Sequence, residues 1–401
     1  MRKGKLSLGD KILIGMVLGA ITGIIIGPKI VSISLVGDIF LRLLRMNVVP
    51  LIFTNVVLAV ASMGDVKRLG KVGLKMTAMF MATTFIAGAI GLTLGLLVKP
   101  GLGFLMEGLG DLVQTNTPSL SETILGFFPV NIMESFSQGN MLQIITFALI
   151  SGVAIILLSN NDRERILDSL GLFSRFLMSI LKIVMEFTPY GVFALMANTT
   201  GLYGSSVFGP LGKFIISMYL GLALHAFLIY GGLYYFSTRK NPFIFLKEIA
   251  PIWTTSMATC SSAATLPVSM EICKNKLKLK EDIVGLTIPI GATMNMNGNG
   301  VWYGVVTAFV AQIMGFDMSL YQMGMAIFTG LLMTLGAPGI PGGIFVATTV
   351  FLSTLGFPIE FVGLLGGIFR IIDIGLTAVN VVGSVVIATV LDAGEKKTVN
   401  S

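Results

Sequence analysis

From Ile283 to Phe316 the chain carries no charged residue. That stretch exceeds the roughly 20 apolar residues a helix needs to cross the hydrocarbon core of a bilayer. Further apolar segments occupy Ile12–Gly27, Met46–Ser62, Leu74–Val98, Met141–Ser159, Leu177–Ala197 and Phe214–Phe236. Charged residues make up only 12% of the 401, about half the share of a soluble domain. The chain therefore reads as an all-α, polytopic membrane protein, since lipid offers backbone groups no partner. Its net charge of +7 does not point to nucleic acid, because Lys and Arg gather in short clusters between the apolar runs. Cys260 and Cys273 supply neither a disulfide framework nor a metal set. A lone His225 in an apolar run argues against a histidine metal centre or a His-based triad. The N-terminal MRKGKLSLGDKILIGMVLGAITGIIIG has the outline of a signal peptide, but no small-residue cleavage pattern follows, and it reads as a retained first span.

The basic clusters alternate. Arg2, Lys3, Lys5 and Lys11 precede the first span, and Lys67, Arg68, Lys71 and Lys75 lie between the second and third. Arg163 and Arg165 separate the fourth from the fifth, and Arg239, Lys240 and Lys247 follow the sixth. The opposite connection, 106–136, carries Glu107, Asp111, Glu122 and Glu134 with no Lys or Arg. This asymmetry predicts a cytoplasmic N-terminus and a cytoplasmic region around residue 240. Arg42 and Arg45 break the pattern and are expected at the interface or under neighbouring protein.

Beyond residue 248 a different construction is needed. Ile249–Ile272 is apolar, yet Lys274, Lys276, Lys278 and Lys280 follow it, and a single crossing would leave them outside. A re-entrant hairpin fits better, with TCSSAATLP as its turn. Ile283–Gly315 then crosses outward, Gln322–Leu355 returns on itself at LGAPGIPGG, and Phe361–Leu391 crosses inward to Lys396 and Lys397. Eight spans and two hairpins from opposite faces result, with both termini cytoplasmic in a cell membrane. Hairpin-then-helix occurs twice with inverted topology, the construction of secondary transporters. Unwound backbone at that depth requires surrounding protein or a water-filled cavity.

Arg370, Asp373, Thr377, Asn380 and Ser384 recur at intervals of 3, 4, 3 and 4, so they share one face of the last span. A bare carboxylate in hydrocarbon costs several kcal/mol, and this face must look into protein or water. In the bland reading these residues are helix–helix glue, with Arg370 neutralising Asp373. In the functional one Asp373 receives a substrate ammonium, with Thr377 and Asn380 as hydrogen-bonding partners. Asn295, Asn297 and Asn299 alternate with Met296 and Gly298 in an uncharged span. Glycine permits unwinding there, and freed carbonyls plus asparagine amides can coordinate a cation or a ligand. Ser261 and Ser262 sit at the first hairpin's turn, where backbone N–H groups can receive a carboxylate. A serine-rich turn alone is a weak signal and is structural more often than not.

SSAATLPVSM, MNMNGN, GAPGIPGG and DIGLTAVNVVGS, in this order, resemble the four signatures of the dicarboxylate/amino acid:cation symporter family. GDIFLRLLRMNVVPLIF, KVGLKM and FTPYGVFAL extend the resemblance over nearly the whole chain. It implies a homotrimer moving by an elevator mechanism. The scaffold would comprise 1–72 and 141–212. The transport domain would comprise 73–140, 213–247, hairpin one (248–280), 281–316, hairpin two (321–356) and 357–401. Ser261 and Ser262 would hold the substrate α-carboxylate, Asp373 its amino group, and Asn380 both. Gly339 and Ile340 would close over it, and Met296, Asn299, Leu376 and Thr377 would line the remainder.

Departures from the family pattern carry as much information. Leu376 stands where acidic-substrate members have a carboxylate-binding arginine, and Arg370, six positions earlier, points nearly the other way. A neutral amino acid substrate is therefore expected. Asn297 and Ser384 replace two aspartates that supply charge to sodium sites, and Phe80 replaces a tyrosine, though Thr83 and Thr84 remain. The sites drawing on Thr83, Thr84, Gly291, Asn295, Asn297, Asn380 and Ser384 are thus weakened. A third, built from backbone carbonyls and helix ends near Thr293, Met294, Thr334, Leu335 and Ala337, needs no carboxylate. No cofactor is implied beyond Na+ or H+ as coupling ion, and coupling is expected to be altered or reduced. The alternatives are a sodium- or proton-coupled glutamate/aspartate or dicarboxylate symporter and, more remotely, a channel. An intramembrane enzyme lacks a base near Ser261.

Overall fold

The computed structural model describes residues 8–62, 71–104, 125–335 and 343–399, and every regular element among them is helical. The first half contributes α1 (Leu8–Ile26), α2 (Ser34–Arg45), α3 (Val48–Ser62), α4 (Lys71–Val98), α5 (Ile132–Gln138), α6 (Met141–Ile156), α7 (Asn160–Glu186) and α8 (Thr188–Tyr203). Next come α9 (Phe208–Leu224), a π-helical turn (His225–Tyr230), α10 (Gly231–Thr238), α11 (Pro242–Glu248), α12 (Ala250–Thr259) and α13 (Ser262–Glu271). The chain ends with α14 (Glu281–Met294), α15 (Asn297–Ile313), α16 (Leu320–Thr334), α17 (Gly343–Thr354), α18 (Phe361–Gly366) and α19 (Phe369–Val399). Among the described residues, Asp10–Ile30, Val72–Val98, Thr188–Thr238 and Phe369–Lys396 are long and apolar enough to cross a membrane. Ile14, Leu18, Ile21 and Ile25 of α1 and Ile216, Leu220 and Leu224 of α9 are exposed, an outer surface suited to lipid rather than water.

Two groups of helices pack against each other. In the first, α1 lies along α8 with Gly15, Gly19 and Gly23 against the carbonyls of Pro189, Phe193 and Ala197, while α3 packs on α6 and α7. In the second, α4 and α15 meet backbone to backbone, and α12, α14 and α15 surround α19. Helix α15 is the buried centre of that group: Trp302, Tyr303 and Phe309 are fully enclosed. The short α18 docks on α8, placing the start of the last span at the seam between the groups.

Several boundaries differ from the sequence reading. The fifth apolar run is not one helix: α7 ends at Glu186 and α8 begins at Thr188, because Pro189 suits a helix's first turn but not its interior. Arg42, expected at the interface or under neighbouring protein, lies on the exposed side of the separate α2, whose Phe40 and Leu41 are buried. The sixth run is interrupted by the π-helical turn, and the last is broken between Gly366 and Phe369. The turn between α12 and α13 falls at Cys260, which takes a left-handed φ of 49°, and Ser261. The break expected in the seventh span is present at Asn295–Met296. The tip expected between α16 and α17, with Ala337, Gly339 and Ile340, lies outside the described residues.

Candidate functional site

Asp373 lies on the second turn of α19 and is 4% exposed. Thr377, one turn on, donates its hydroxyl to Oδ1 at 3.2 Å, and the Arg370 Nη1 stands 3.9 Å from Oδ2. Tyr219 of α9 donates to the Ile371 carbonyl at 2.6 Å and fixes this end of the helix. Beside the carboxylate is a cavity of about 190 Å³ between the two helix groups. Ile12, Phe40, Met185, Val192, Phe345 and Phe369 make most of its wall apolar, while Thr188, Thr259, Arg370 and Asp373 form its polar corner. Ala258 and Thr259 bring the end of α12 to the same space.

Further along α19, a polar network binds the helix to the break between α14 and α15. Asn380 accepts from the Gly298 amide at 2.7 Å and donates to Asn299 Oδ1 at 3.0 Å. Asn295 donates to the Asn380 carbonyl at 3.1 Å and to the Ser384 hydroxyl at 3.3 Å. Gly291 lies against Ser384, where an added Cβ would overlap the hydroxyl. Asn297 is fully buried. Its amide donates to the Tyr230 hydroxyl at 2.6 Å and to Thr83 at 3.1 Å, and its carbonyl accepts from Thr84 at 2.5 Å. Tyr230 in turn donates to the Val379 carbonyl at 3.1 Å. Neutral groups thus satisfy one another here except at the Asn295 Oδ1, which is buried without a hydrogen-bond partner, each bond contributing about 1 kcal/mol and each unmade one costing more.

The structure gathers Thr83, Thr84, Gly291, Asn295, Asn297, Asn299, Asn380 and Ser384 into this network. Of the expected substrate residues that the structure describes, Asp373 alone lines the cavity. Asn380 faces the broken helix with its amide engaged on both sides. Ser261 caps α13, accepting from the Ala264 amide at 3.2 Å, and Ser262 is buried behind it. Met296 and Leu376 are also buried, Leu376 with its backbone against Gly298. In the third proposed ion site Met294 and Leu335 are buried, Thr293 is exposed, and Thr334 donates to the Leu331 carbonyl at 2.6 Å. Ala337, Gly339 and Ile340 lie outside the described residues. Tyr230, which joins Asn297 to α19, is not singled out by the sequence reading: it is one of four tyrosines in its span and closes the π-helical turn. Among the described residues no three His, Cys, Asp or Glu side chains gather where a metal ion could be held.

A family model described as the sodium:dicarboxylate symporter family matches residues 8–393. The chain belongs to the sodium:dicarboxylate symporter family. It is 32% identical to a proton/sodium-glutamate symport protein of Geobacillus stearothermophilus, covering 98% of this chain and 95% of that one. It is 29% identical to the proton/glutamate-aspartate symporter of Escherichia coli K12, over 99% and 95% of the two chains. A C4-dicarboxylate transport protein of Anaeromyxobacter sp. strain K is 30% identical over 96% and 89%. As a member of the sodium:dicarboxylate symporter family this chain is a membrane transporter and not an enzyme. Among the described residues, the side chains of the network joining Asn295, Asn297, Asn299, Asn380 and Ser384 are all neutral.

Proposed function

We propose that the chain moves a neutral amino acid across the cell membrane with altered or reduced sodium coupling. The observation that carries this reading is Asp373, a buried carboxylate at the polar corner of an otherwise apolar cavity between the two helix groups. A carboxylate in that setting is a receptor for an ammonium group, and the apolar wall receives an uncharged side chain. Leu376 adds no cation for a second carboxylate. Asn297 and Ser384 add no charge to offset a buried sodium ion, and their hydrogen-bonding capacity is already used within the protein. Ser261, Ser262 and the tip holding Gly339 and Ile340 complete the site when the second hairpin closes, and any ion that remains coupled uses the carbonyl-built position near Met294 and Thr334. The helix group built on α1, α3, α6, α7 and α8 is the trimeric scaffold, and the group around α15 and α19 is the moving part of an elevator. The hairpins are re-entrant and both termini are cytoplasmic.

One observation favours a second reading. Relatives similar over nearly the full length are named for glutamate, aspartate and C4-dicarboxylates. On that reading the substrate is acidic and sodium or protons drive it. Uptake into proteoliposomes separates the two. Labelled alanine, serine, valine, leucine, methionine, aspartate and glutamate are offered with and without sodium and pH gradients. The proposal expects accumulation or exchange of a neutral amino acid, little changed by sodium and lost in Asp373→Ala. Sodium-driven aspartate uptake would overturn it.

A further inference from the structure

We propose that the groove between the π-helical turn, α11, α12 and α19 holds one anionic glycerophospholipid, its acyl chain on the apolar floor and its phosphate on Lys247 and Lys276. This inference needs only the family's membrane setting, so it stands apart from which substrate is carried. The groove has a volume of about 590 Å³. Phe227 and Phe243 are exposed on one lip with their rings 6.1 Å apart, and Trp253 lines the α12 side. Ala378, Val379 and Val382 make the floor. Helix α19 is enclosed by protein along most of its length, and here its side chains reach an open apolar surface. The floor also touches the polar network, because Val379 carries the carbonyl that Tyr230 bonds. A chain lodged there packs on α12 and α19 together.

Charge selects the headgroup. Among the described residues that line the groove, Lys247 is the one that carries a charge, and it is exposed. The Lys276 ammonium donates to the Glu248 carbonyl at 2.6 Å, which brings a second cation to the same end of α11. Arg239 and Lys240 precede α11 in the chain, and Glu248 is the one acid from 239 to 248. Lys274 and Lys280 are paired with Glu281 and Glu395, whereas Arg239, Lys240, Lys247 and Lys276 form no ion pair among the described residues. An apolar trough ending in unpaired ammonium groups matches an acyl chain joined to an anionic head, because the lysine stems lie along hydrocarbon while their tips reach the phosphate level. A zwitterionic lipid would fill the same trough but bring its own cation to a corner that is already positive.

Trp253 is a built-in reporter, since the chain has two tryptophans and Trp302 is fully enclosed. The full chain carrying Trp302→Phe is reconstituted in phosphatidylcholine with rising fractions of dibrominated phosphatidylglycerol or, separately, dibrominated phosphatidylcholine, and bromine quenching of Trp253 fluorescence is measured. One basic side chain near a membrane surface corresponds to about fivefold in affinity for an anionic lipid, so phosphatidylglycerol should bind beside Trp253 at least ~5-fold more tightly than phosphatidylcholine. Lys247→Gln with Lys276→Gln should bring that ratio below ~2, and Lys247→Arg should keep it. Equal quenching by the two lipids overturns the proposal. So does a preference unchanged in the double lysine variant, which would assign it to the overall charge of the protein. A preference that survives Ala378→Phe, which fills the floor, places the lipid outside the groove and overturns the proposal too. If Trp302→Phe does not fold, the same ratio is read from the natural chain after subtracting the signal that remains in Trp253→Phe.

Discussion

Asn297 is held by three neighbours from two other helical segments, Thr83, Thr84 and Tyr230, and all three are neutral. A sodium ion placed there would lose its hydration shell without gaining a charge, and it would have to break bonds already made. The expected outcome is a melting temperature that does not respond when sodium replaces potassium at constant ionic strength. Asn297→Asp with Ser384→Asp reverses this. Two buried carboxylates should lower stability in potassium, and sodium should restore it by about 2.7 kcal/mol at a concentration ~100 times its Kd. Thermal unfolding of both proteins in the two salts checks the pair of expectations. Equal melting of the double variant in both salts would mean the pocket is not an ion site even when charged.

At the scale of elements, α15 is pressed into α4 so closely that side chains are excluded from the contact. A methyl group at Gly304 would run into the Gly88 carbonyl and the Leu92 amide nitrogen, and one at Gly91 into the Val301 carbonyl. Gly304→Ala should therefore cost about 1–3 kcal/mol, seen as a lower melting temperature. Gly285 of α14 has open space around its Cβ position, so Gly285→Ala should be neutral or stabilising by about 0.5–1 kcal/mol. Similar effects at both sites would show that helix propensity, not packing, sets the result. These contacts also mark what the sequence could and could not reveal. Intervals of 3 and 4 exposed the polar face of α19, and three asparagines among glycines exposed the break before α15. Both are local patterns whose cost in lipid demands a reason. The π-helical turn that closes at Tyr230 has no such mark, because it shifts helical register inside an unremarkable apolar run. Nor could spacing show that Asn380 would staple the broken helix rather than face the cavity, since both uses need the same residue on the same face.

On the scale of the whole molecule, the cavity lies at a seam. Val192 approaches it from α8 in one helix group, and Ala258 from α12 in the other. If transport carries the second group past the first, these residues must separate during each cycle, and a covalent link between them must stop it. The native thiols complicate the experiment, since Cys260 is two residues from Ala258 and both cysteines are free. Val192→Cys and Ala258→Cys are therefore placed in a Cys260→Ser, Cys273→Ser background that retains amino acid uptake. Mercuric ion bridges paired thiols at close range, and the double variant should lose uptake on its addition and regain it with dithiothreitol. Each single-cysteine variant controls for simple blockage of the cavity, because a lone mercury adduct there would inhibit without a bridge. Uptake that persists with the bridge in place, verified by mass spectrometry, would mean that the groups do not slide at this seam. Substrate would then reach both sides of the membrane through a fixed pair of helix groups, with gating confined to the hairpins.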